Sequence, residues 1–337
     1  VDYWGNPCGK FVDGETRVDF KKLKSKKLHG ANVHIVQPTQ SPDSNLMELQ
    51  LMISGLRDSA HHITGVVPYD GYARQDRKSA PLEPISIVET ARNLANTGVD
   101  DLVFMDLHVQ QIIGIYKAIR PRLHVDHLYA RPVILDWLLR QDLSKAIISS
   151  VDSGGAKWVE SYWERTPVNG GNDVNFGIGY KNRKTPDDPG VVKLFGDFAG
   201  RNTYLVDDMV STGGSSVAAT DTALDEMGAA TVDLIAIHPV IATLGVAERI
   251  ANSRVRRFIT TDSIPISDDA RAILGSKLVE ISVAALLAAL IRRLDNNDGA
   301  GEGQGGLFEL DTYRQDIITL PGNDRRRQVA KTTALVQ

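Results

Sequence analysis

Asp207 and Asp208 stand side by side at the end of a short apolar run, Tyr204–Val206. Ser211, Thr212, Gly213, Gly214, Ser215 and Ser216 follow directly, and then a helical pattern begins. That pattern puts Val217, Leu224 and Met227 on one face and ends at Gly228. Small residues at a strand-to-helix turn let backbone N–H groups converge on an anion. Hydroxyls add donors, and the helix N-terminus adds positive partial charge. Such a turn suits a phosphate. The two carboxylates do not, but they suit sugar hydroxyls or a magnesium ion. Acids next to an anion loop therefore suggest a phosphorylated sugar. The plain alternative is a strand–turn–helix junction with a glycine turn and a serine cap.

Other clusters carry related groups. In Pro68-Tyr-Asp-Gly-Tyr-Ala-Arg-Gln-Asp-Arg-Lys78, the cations Arg74, Arg77 and Lys78 suit phosphates, and Arg74 and Gln75 can hydrogen-bond a base or ribose. In Val103-Phe-Met-Asp-Leu-His108, Asp106 and His108 lie two apart at a strand end, which predicts that they face the same side. His108 suits a metal or a phosphate, or simply a structural role. In Ser149-Ser-Val-Asp-Ser-Gly-Gly155, Asp152 suits a magnesium ion, and the glycines would admit a diphosphate close to the backbone. Gly177-Ile-Gly-Tyr-Lys-Asn-Arg-Lys-Thr-Pro186 reads as a long mobile loop, a lid carrying Lys181 and Arg183 to a phosphoryl transfer. Phe11-Val-Asp-Gly-Glu15 reads as a turn with two acids. Each cluster taken alone also has a plain reading: a charged surface loop for Pro68–Lys78, a turn for Phe11–Glu15 and Ser149–Gly155, and a solvated basic hairpin for Gly177–Pro186.

The elements that must position these groups alternate along the chain. Strands are expected at Val33–Val36, Ile63–Pro68, Leu102–Met105, Ala146–Ser149, Tyr204–Val206, Val232–Ile237, Arg257–Ile259 and Leu278–Ser282. Helices are expected at Leu46–Arg57, Ile85–Thr97, Pro132–Arg140, Ser216–Met227 and Val283–Leu294. Such alternation predicts parallel α/β sheets, whose ligands bind at the carboxyl ends of strands. The 337 residues leave room for two domains. A net charge of -4 without a dominant basic block argues against a nucleic-acid partner. The single cysteine, Cys8, excludes an internal disulfide and a cysteine-rich zinc site, and fits a cytoplasmic setting. The most apolar run, Val283–Ile291, meets Arg292 and Arg293 and is too short to cross a bilayer, so it reads as a packed helix and no membrane partner is expected.

In this order the clusters resemble the ribose-phosphate diphosphokinase (PRPP synthetase) family, from Phe11 to about Phe308. Phe-x-Asp-Gly-Glu, Tyr-Ala-Arg-Gln-Asp-Arg-Lys, Asp-Leu-His, Asp-x-Gly-Gly, Lys-x-Arg and Asp-Asp-x-x-x-Thr-Gly-Gly carry the resemblance, and Asn45-Leu-Met-Glu-Leu49 and Thr261-Asp-Ser-Ile-Pro265 support it. Phosphoribosyltransferases share only the last of the six. The resemblance implies two similar phosphoribosyltransferase-like α/β domains, each a mostly parallel sheet flanked by helices. The expected boundaries are 1–133 for an ATP-side domain completed by a helix near 283–294, 134–282 for a ribose-5-phosphate domain, and 295–337 for a flexible tail. It implies transfer of the diphosphoryl group of ATP to the C1 hydroxyl of ribose 5-phosphate, with Mg2+, in a homo-oligomer of the hexamer type built from dimers. Lys181 and Arg183 would be catalytic, with Arg183 also near the sugar phosphate. Phe11, Asp13, Gly14, Glu15, Arg74, Gln75, Asp76 and His108 would serve ATP, the first four from a neighbouring subunit. Asp207 and Asp208 would take the ribose hydroxyls, and Ser211, Thr212, Gly213, Gly214 and Ser215 would enclose the 5-phosphate. His108 and Asp152 would take part in magnesium binding.

Some segments depart from the family pattern. Only ten residues precede Phe11, where relatives usually carry a further strand and helix. Lys27-Leu-His29-Gly30 and Ser79-Ala-Pro-Leu-Glu83 replace family segments of the phosphate/ADP regulatory site, which predicts weak or absent phosphate activation and ADP allostery. Asn169-Gly-Gly-Asn-Asp173 is longer than usual. A non-catalytic subunit of the same fold is the alternative from another functional class. A phosphoribosyltransferase, or a regulator sensing sugar phosphate, leaves the Ala-Arg-Gln-Asp and Asp-Leu-His segments unexplained.

Overall fold

The computed structural model describes residues 5–20, 28–166, 174–182, 191–296, 307 and 309–318. The chain divides into two compact units, Val1–Tyr129 with Leu287–Phe308, and Ala130–Leu286 with Glu309–Gln337. Both are α/β, built on mainly parallel sheets flanked by helices. Arg183, Lys27, the 169–173 segment, the Gly-rich 298–306 stretch and Arg325–Arg327 lie outside the described residues.

The first unit begins with an antiparallel hairpin, β1 (Cys8–Lys10) and β2 (Thr16–Val18). A four-stranded parallel sheet follows, in the order β3 (Asn32–Val36), β4 (His62–Val67), β5 (Asp101–Met105), β6 (His124–Leu128). Helices α1 (Ser44–Leu56), α2 (Ser86–Ala95) and α3 (Gln111–Ile119) connect the strands. Leu49, Met52, Ile53 and Leu56 of α1 recur at helical spacing and are buried, as are Ile87, Ala91, Leu94 and Ala95 of α2. They meet Ile63, Leu102 and Phe104 of the sheet in one core.

The second unit opens with α4 (Arg131–Leu138), β7 (Ala146–Ser150), a 3-10 turn at Ser153–Gly155 and α5 (Ala156–Trp163). An antiparallel pair, β8 (Asn175–Asn182) and β9 (Val191–Phe195), comes next. The remainder alternates β10 (Asn202–Met209), α6 (Gly214–Asp225), β11 (Thr231–His238), α7 (Leu244–Asn252), β12 (Arg257–Thr261), α8 (Asp268–Leu274) and β13 (Leu278–Ile281), and is followed by α9 (Ala284–Asp295), which from Leu287 onward belongs to the first unit. A last helix, α10 (Leu310–Ile318), packs on α4, with Tyr313 buried and Arg314 Nε 2.8 Å from Asp136 Oδ1. The sequence analysis did not anticipate this helix.

The seven-stranded sheet has the order β13-β12-β11-β10-β7-β8-β9. From β7 the strand order runs one way to β8 and β9, and from β10 the other way to β13. The sheet therefore reverses between β7 and β10, and the crevice outside the carboxyl ends of such a pair is where open α/β sheets take ligands.

Two expectations are corrected. Gly177 to Asn182 is not a loop but the last six residues of β8, paired from Ile178 on to β9. The glycines that suggest a loop serve a close approach: a Cβ at Gly179 would run into the Val151 carbonyl, and one at Gly177 would lie 2.9 Å from Phe198 and from Ser149 Oγ. Asp106 and His108 do not share a side. The alternation ends at Met105, Asp106 turns to φ 45° and is buried, and His108 is exposed.

Candidate functional site

The reversal between β7 and β10 gathers most of the expected groups of the second unit. Asp152 follows β7, and its Oδ1 accepts from Gly154 N (2.8 Å) and Gly155 N (3.3 Å), capping the 3-10 turn. Asp207 and Asp208 lie on the last turn of β10, with Asp208 N donating to Asp207 Oδ1 at 3.0 Å. The loop 211–213 then leads to α6, where Gly213 is the N-cap at φ 73°. No side chain among the described residues caps that helix, so its first N–H groups are open to a ligand or to water.

Two charge effects meet here. Burial, then the charges of Asp208 and Asp152, push the Asp207 carboxyl well above the usual carboxylate range. Carboxylates held this close are relieved by a cation or by hydroxyl donors. Lys181, on β8, brings a cation to the start of α6, where its Nζ donates to Ser215 Oγ. The rigid passage of β8 past β7 is what brings it there. Gly179 N donates to Ser150 Oγ at 3.1 Å, and Gly179 has no room for a side chain.

The candidate residues of the first unit are more dispersed. Phe11, Asp13, Gly14 and Glu15 form the tip of the β1–β2 hairpin, closed by Gly14 N to Phe11 O (3.0 Å) and Glu15 N to Asp13 Oδ1 (3.1 Å). The Arg17 guanidinium covers the Phe11 ring at 5.7 Å, yet Phe11 and Val12 stay exposed. The hairpin packs through β2 on α1. Arg74, Gln75 and Asp76 lie in the loop after β4. Gln75 Oε1 accepts from Ser86 Oγ at the start of α2. Asp76 accepts a two-pronged bond from Arg77 (3.0 and 2.9 Å), which holds its carboxyl below the usual range, with a smaller contribution from the charge of His108. The loop is braced from β3's side: Gly71 N donates to Thr39 Oγ1 at 2.8 Å, and Tyr72 Oη to Asp43 Oδ1 at 2.6 Å. His108 is exposed, while Leu107 N beside it donates to His127 Nε2 at 3.0 Å.

Three features were missed from sequence. Asp70 is a buried carboxylate at the end of β4. Its Oδ2 has no hydrogen-bond partner among the described residues, and burial pushes its pKa to about 8. An acid directly after the apolar strand was the available signal. Ile241 carries a positive φ of 31°, and Arg249 of α7 reaches the Thr212 carbonyl. Neither belongs to a motif, so only the fold reveals them.

Family models match two stretches. Residues 5–98 match the N-terminal domain of ribose phosphate pyrophosphokinase, and 175–303 match the phosphoribosyl synthetase-associated domain. The ribose-phosphate pyrophosphokinase of Shewanella oneidensis is 36% identical over 293 residues, covering 86% of this chain and 87% of that one. That of Helicobacter pylori is 35% identical over 292 residues, covering 86% and 85%. The chain belongs to the ribose-phosphate pyrophosphokinase family. A crystal structure of phosphoribosylpyrophosphate synthetase from Mycobacterium smegmatis superposes with a TM-score of 0.74 at 30% identity, covering 88% of this chain and 92% of that one.

Within this pyrophosphokinase fold the described residues contain no group of three His, Cys, Asp or Glu side chains able to hold a metal by themselves. The donors present are still those magnesium prefers. Magnesium keeps most of its waters and binds through one or two carboxylates together with substrate phosphates. Crowded carboxylates at Asp152, Asp207 and Asp208 fit that demand. No helix among the described residues is long and apolar enough to cross a membrane.

Proposed function

We propose that this family member is an active ribose-phosphate diphosphokinase: it moves the diphosphoryl group of ATP to the C1 hydroxyl of ribose 5-phosphate, giving PRPP and AMP. The observation that carries the reading is the convergence at the β7/β10 reversal. Three carboxylates, an uncapped helix N-terminus and Lys181 bonded to Ser215 meet there. In this reading the N–H groups and hydroxyls of Ser211–Ser215 bind the 5-phosphate, and Asp207 and Asp208 accept hydrogen bonds from the ribose hydroxyls. Burial and the charges of Asp208 and Asp152 disfavour the ionised form of Asp207, and hydroxyl donors or positive charge arriving with substrate favour it.

The C1 oxygen attacks the β-phosphorus as the bond to the α–β bridging oxygen breaks. That electron pair leaves on AMP, and the hydroxyl proton passes to solvent. Such transfers need alignment and positive charge more than covalent help. Lys181 supplies the charge, and Arg183, as a catalytic partner, would add to it. Asp152, with His108 on the ATP side, would hold Mg2+ together with the substrate phosphates, and the ion would supply neutralisation of phosphate charge there. Arg74, Gln75 and Asp76 hold ATP, with Phe11, Asp13, Gly14 and Glu15 from another subunit of a hexamer-type homo-oligomer. A cytoplasmic setting fits these substrates.

The test is AMP and PRPP formation from ATP, Mg2+ and ribose 5-phosphate. Stoichiometric formation of both products supports the reading. A folded protein that forms neither turns it into the non-catalytic member of the same family.

A further inference from the structure

The anion loop is gripped from behind by a helix no motif points to. Arg249, on α7, donates from Nη1 to the Thr212 carbonyl at 2.5 Å. Thr212 and Gly213 share one planar peptide, in which C=O and N–H point in opposite directions. Gly213, at φ 73°, is the residue type that lets this peptide take either orientation. The rest of α7 closes on the same point: a Cβ on Gly213 would meet Val246 Cγ1 at 3.5 Å, Ile250 Cγ1 at 3.7 Å and Arg249 Cδ at 3.9 Å. The segment leading into α7 is tied to the loop as well, with Ile241 N donating to Val210 O (3.0 Å) and Ala242 N to Ser211 O (3.2 Å). Ile241 holds a positive φ of 31° to do so, a conformation unfavourable for a β-branched residue.

We infer that Arg249 is a positioning residue for the anion loop. By fixing the Thr212 carbonyl on its own side, it presents the Gly213 N–H to the ligand. Release of that carbonyl lets the peptide flip, replacing a donor by a lone pair that repels a phosphate. The inference rests on reading this loop as the seat of the sugar phosphate, and it adds to that reading a residue from a separate helix.

The experiment compares the full-length chain with Arg249→Ala and Arg249→Lys. Ribose 5-phosphate binding is measured by calorimetry, and steady-state kinetics are run with each substrate varied. Arg249→Ala is expected to weaken ribose 5-phosphate binding roughly ten- to a hundredfold, the worth of one charge-assisted hydrogen bond. Turnover at saturating sugar phosphate stays within about threefold and KM for ATP is unchanged. Arg249→Lys, which restores a donor, recovers most of the loss. The deficit persists at about 0.5 M salt, because a pinned peptide is not screened as a distant charge is.

Equal binding by wild type and Arg249→Ala overturns the inference. So does a deficit that vanishes at high salt, which assigns the effect to through-space charge. Parallel loss of ATP affinity and thermal stability without rescue by Arg249→Lys reduces Arg249 to a structural role and also overturns it. Wild type that binds ribose 5-phosphate but forms no PRPP removes the proposed activity while leaving the Arg249 effect measurable. Wild type that does not bind ribose 5-phosphate removes both.

Discussion

The two units use the same strand–loop–helix grammar to different ends. In the second, the strand order reverses between β7 and β10, and charged groups from three strands and one helix terminus meet at that point. In the first, the described sheet runs β3-β4-β5-β6 without reversal, and its candidate groups come from the loops after β4 and β5, where the charge of His108 reaches Asp76. Arg74 and His108 are exposed, Gln75 turns back to α2, and Asp76 is occupied by Arg77. The difference teaches that motif content alone does not make a site. A reversal in strand order creates a crevice into which neighbouring loops can reach, whereas consecutive strands leave their loops side by side.

Predictions follow the size of the effect each unit should show. Lys181→Ala tests the converged site most directly. PRPP formation should fall on the order of a hundred- to a thousandfold in an initial-rate assay, with the thermal melt unchanged. A loss below about tenfold would separate Lys181 from the chemistry.

Backbone approach is the next largest effect, and it occurs in both units. Gly179→Ala and Gly71→Ala each drive a methyl into a carbonyl, Val151's and Thr39's respectively. Each should cost about 1–3 kcal/mol in denaturant unfolding. Only Gly179→Ala should also displace Lys181 and depress turnover with both substrates saturating. Gly71→Ala should act chiefly on KM for ATP. Identical kinetic signatures would erase the contrast between the units.

The buried acids divide the same way under pH. Asp70 keeps its proton in the folded state to about pH 8, while the unfolded chain loses it near the ordinary aspartate value of 3.8. Between those values the unfolded state binds fewer protons, so stability falls as pH rises from about 4 to about 8 and levels off above, by at most about 1.4 kcal/mol per pH unit. Asp70→Asn should flatten that part of the curve. Asp207 is raised by burial first and then by crowding among carboxylates, so Mg2+ with ribose 5-phosphate should weaken its contribution and leave that of Asp70 in place. Urea titrations across pH, with and without these ligands, separate the two.

The smallest effect belongs to the hairpin tip. Gly14 sits at φ 92° with open space around it, so Gly14→Ala should cost only about 1 kcal/mol, from backbone strain alone.

Much of this fold was legible in the residues. Short apolar runs and helical spacing located eight of the sheet strands and α1, α2, α4, α6 and α9, because burial on one face leaves a period in the sequence, while β6, α3, α5, α7 and α8 were not picked out. The clusters at the ends of β4, β5, β7 and β10 were legible for the same reason. Lys181 was read onto a loop because Gly177 and Gly179 look like turn residues, while their actual work is to admit neighbouring atoms. The opposed settings of Asp106 and His108 depend on one positive φ at a non-glycine residue, which no periodicity records. Arg249 and Asp70 acquire meaning only from what the fold places beside them. The helix α10 was hidden by the glycine-rich stretch before it.

The connectivity also has a consequence for how the protein is made. The first unit closes with Leu287 and the residues after it, including the bond from His34 to Asp295 (2.9 Å), and the second unit takes its last helix from beyond Glu309. A ribosome that has released the first sheet has therefore not yet released the helix that completes it. The first unit must wait, with part of its apolar surface uncovered, while the whole of the second sheet emerges. The second unit waits longer still, because its own last helix follows the one that closes the first, so neither half can settle completely until both late helices have been made.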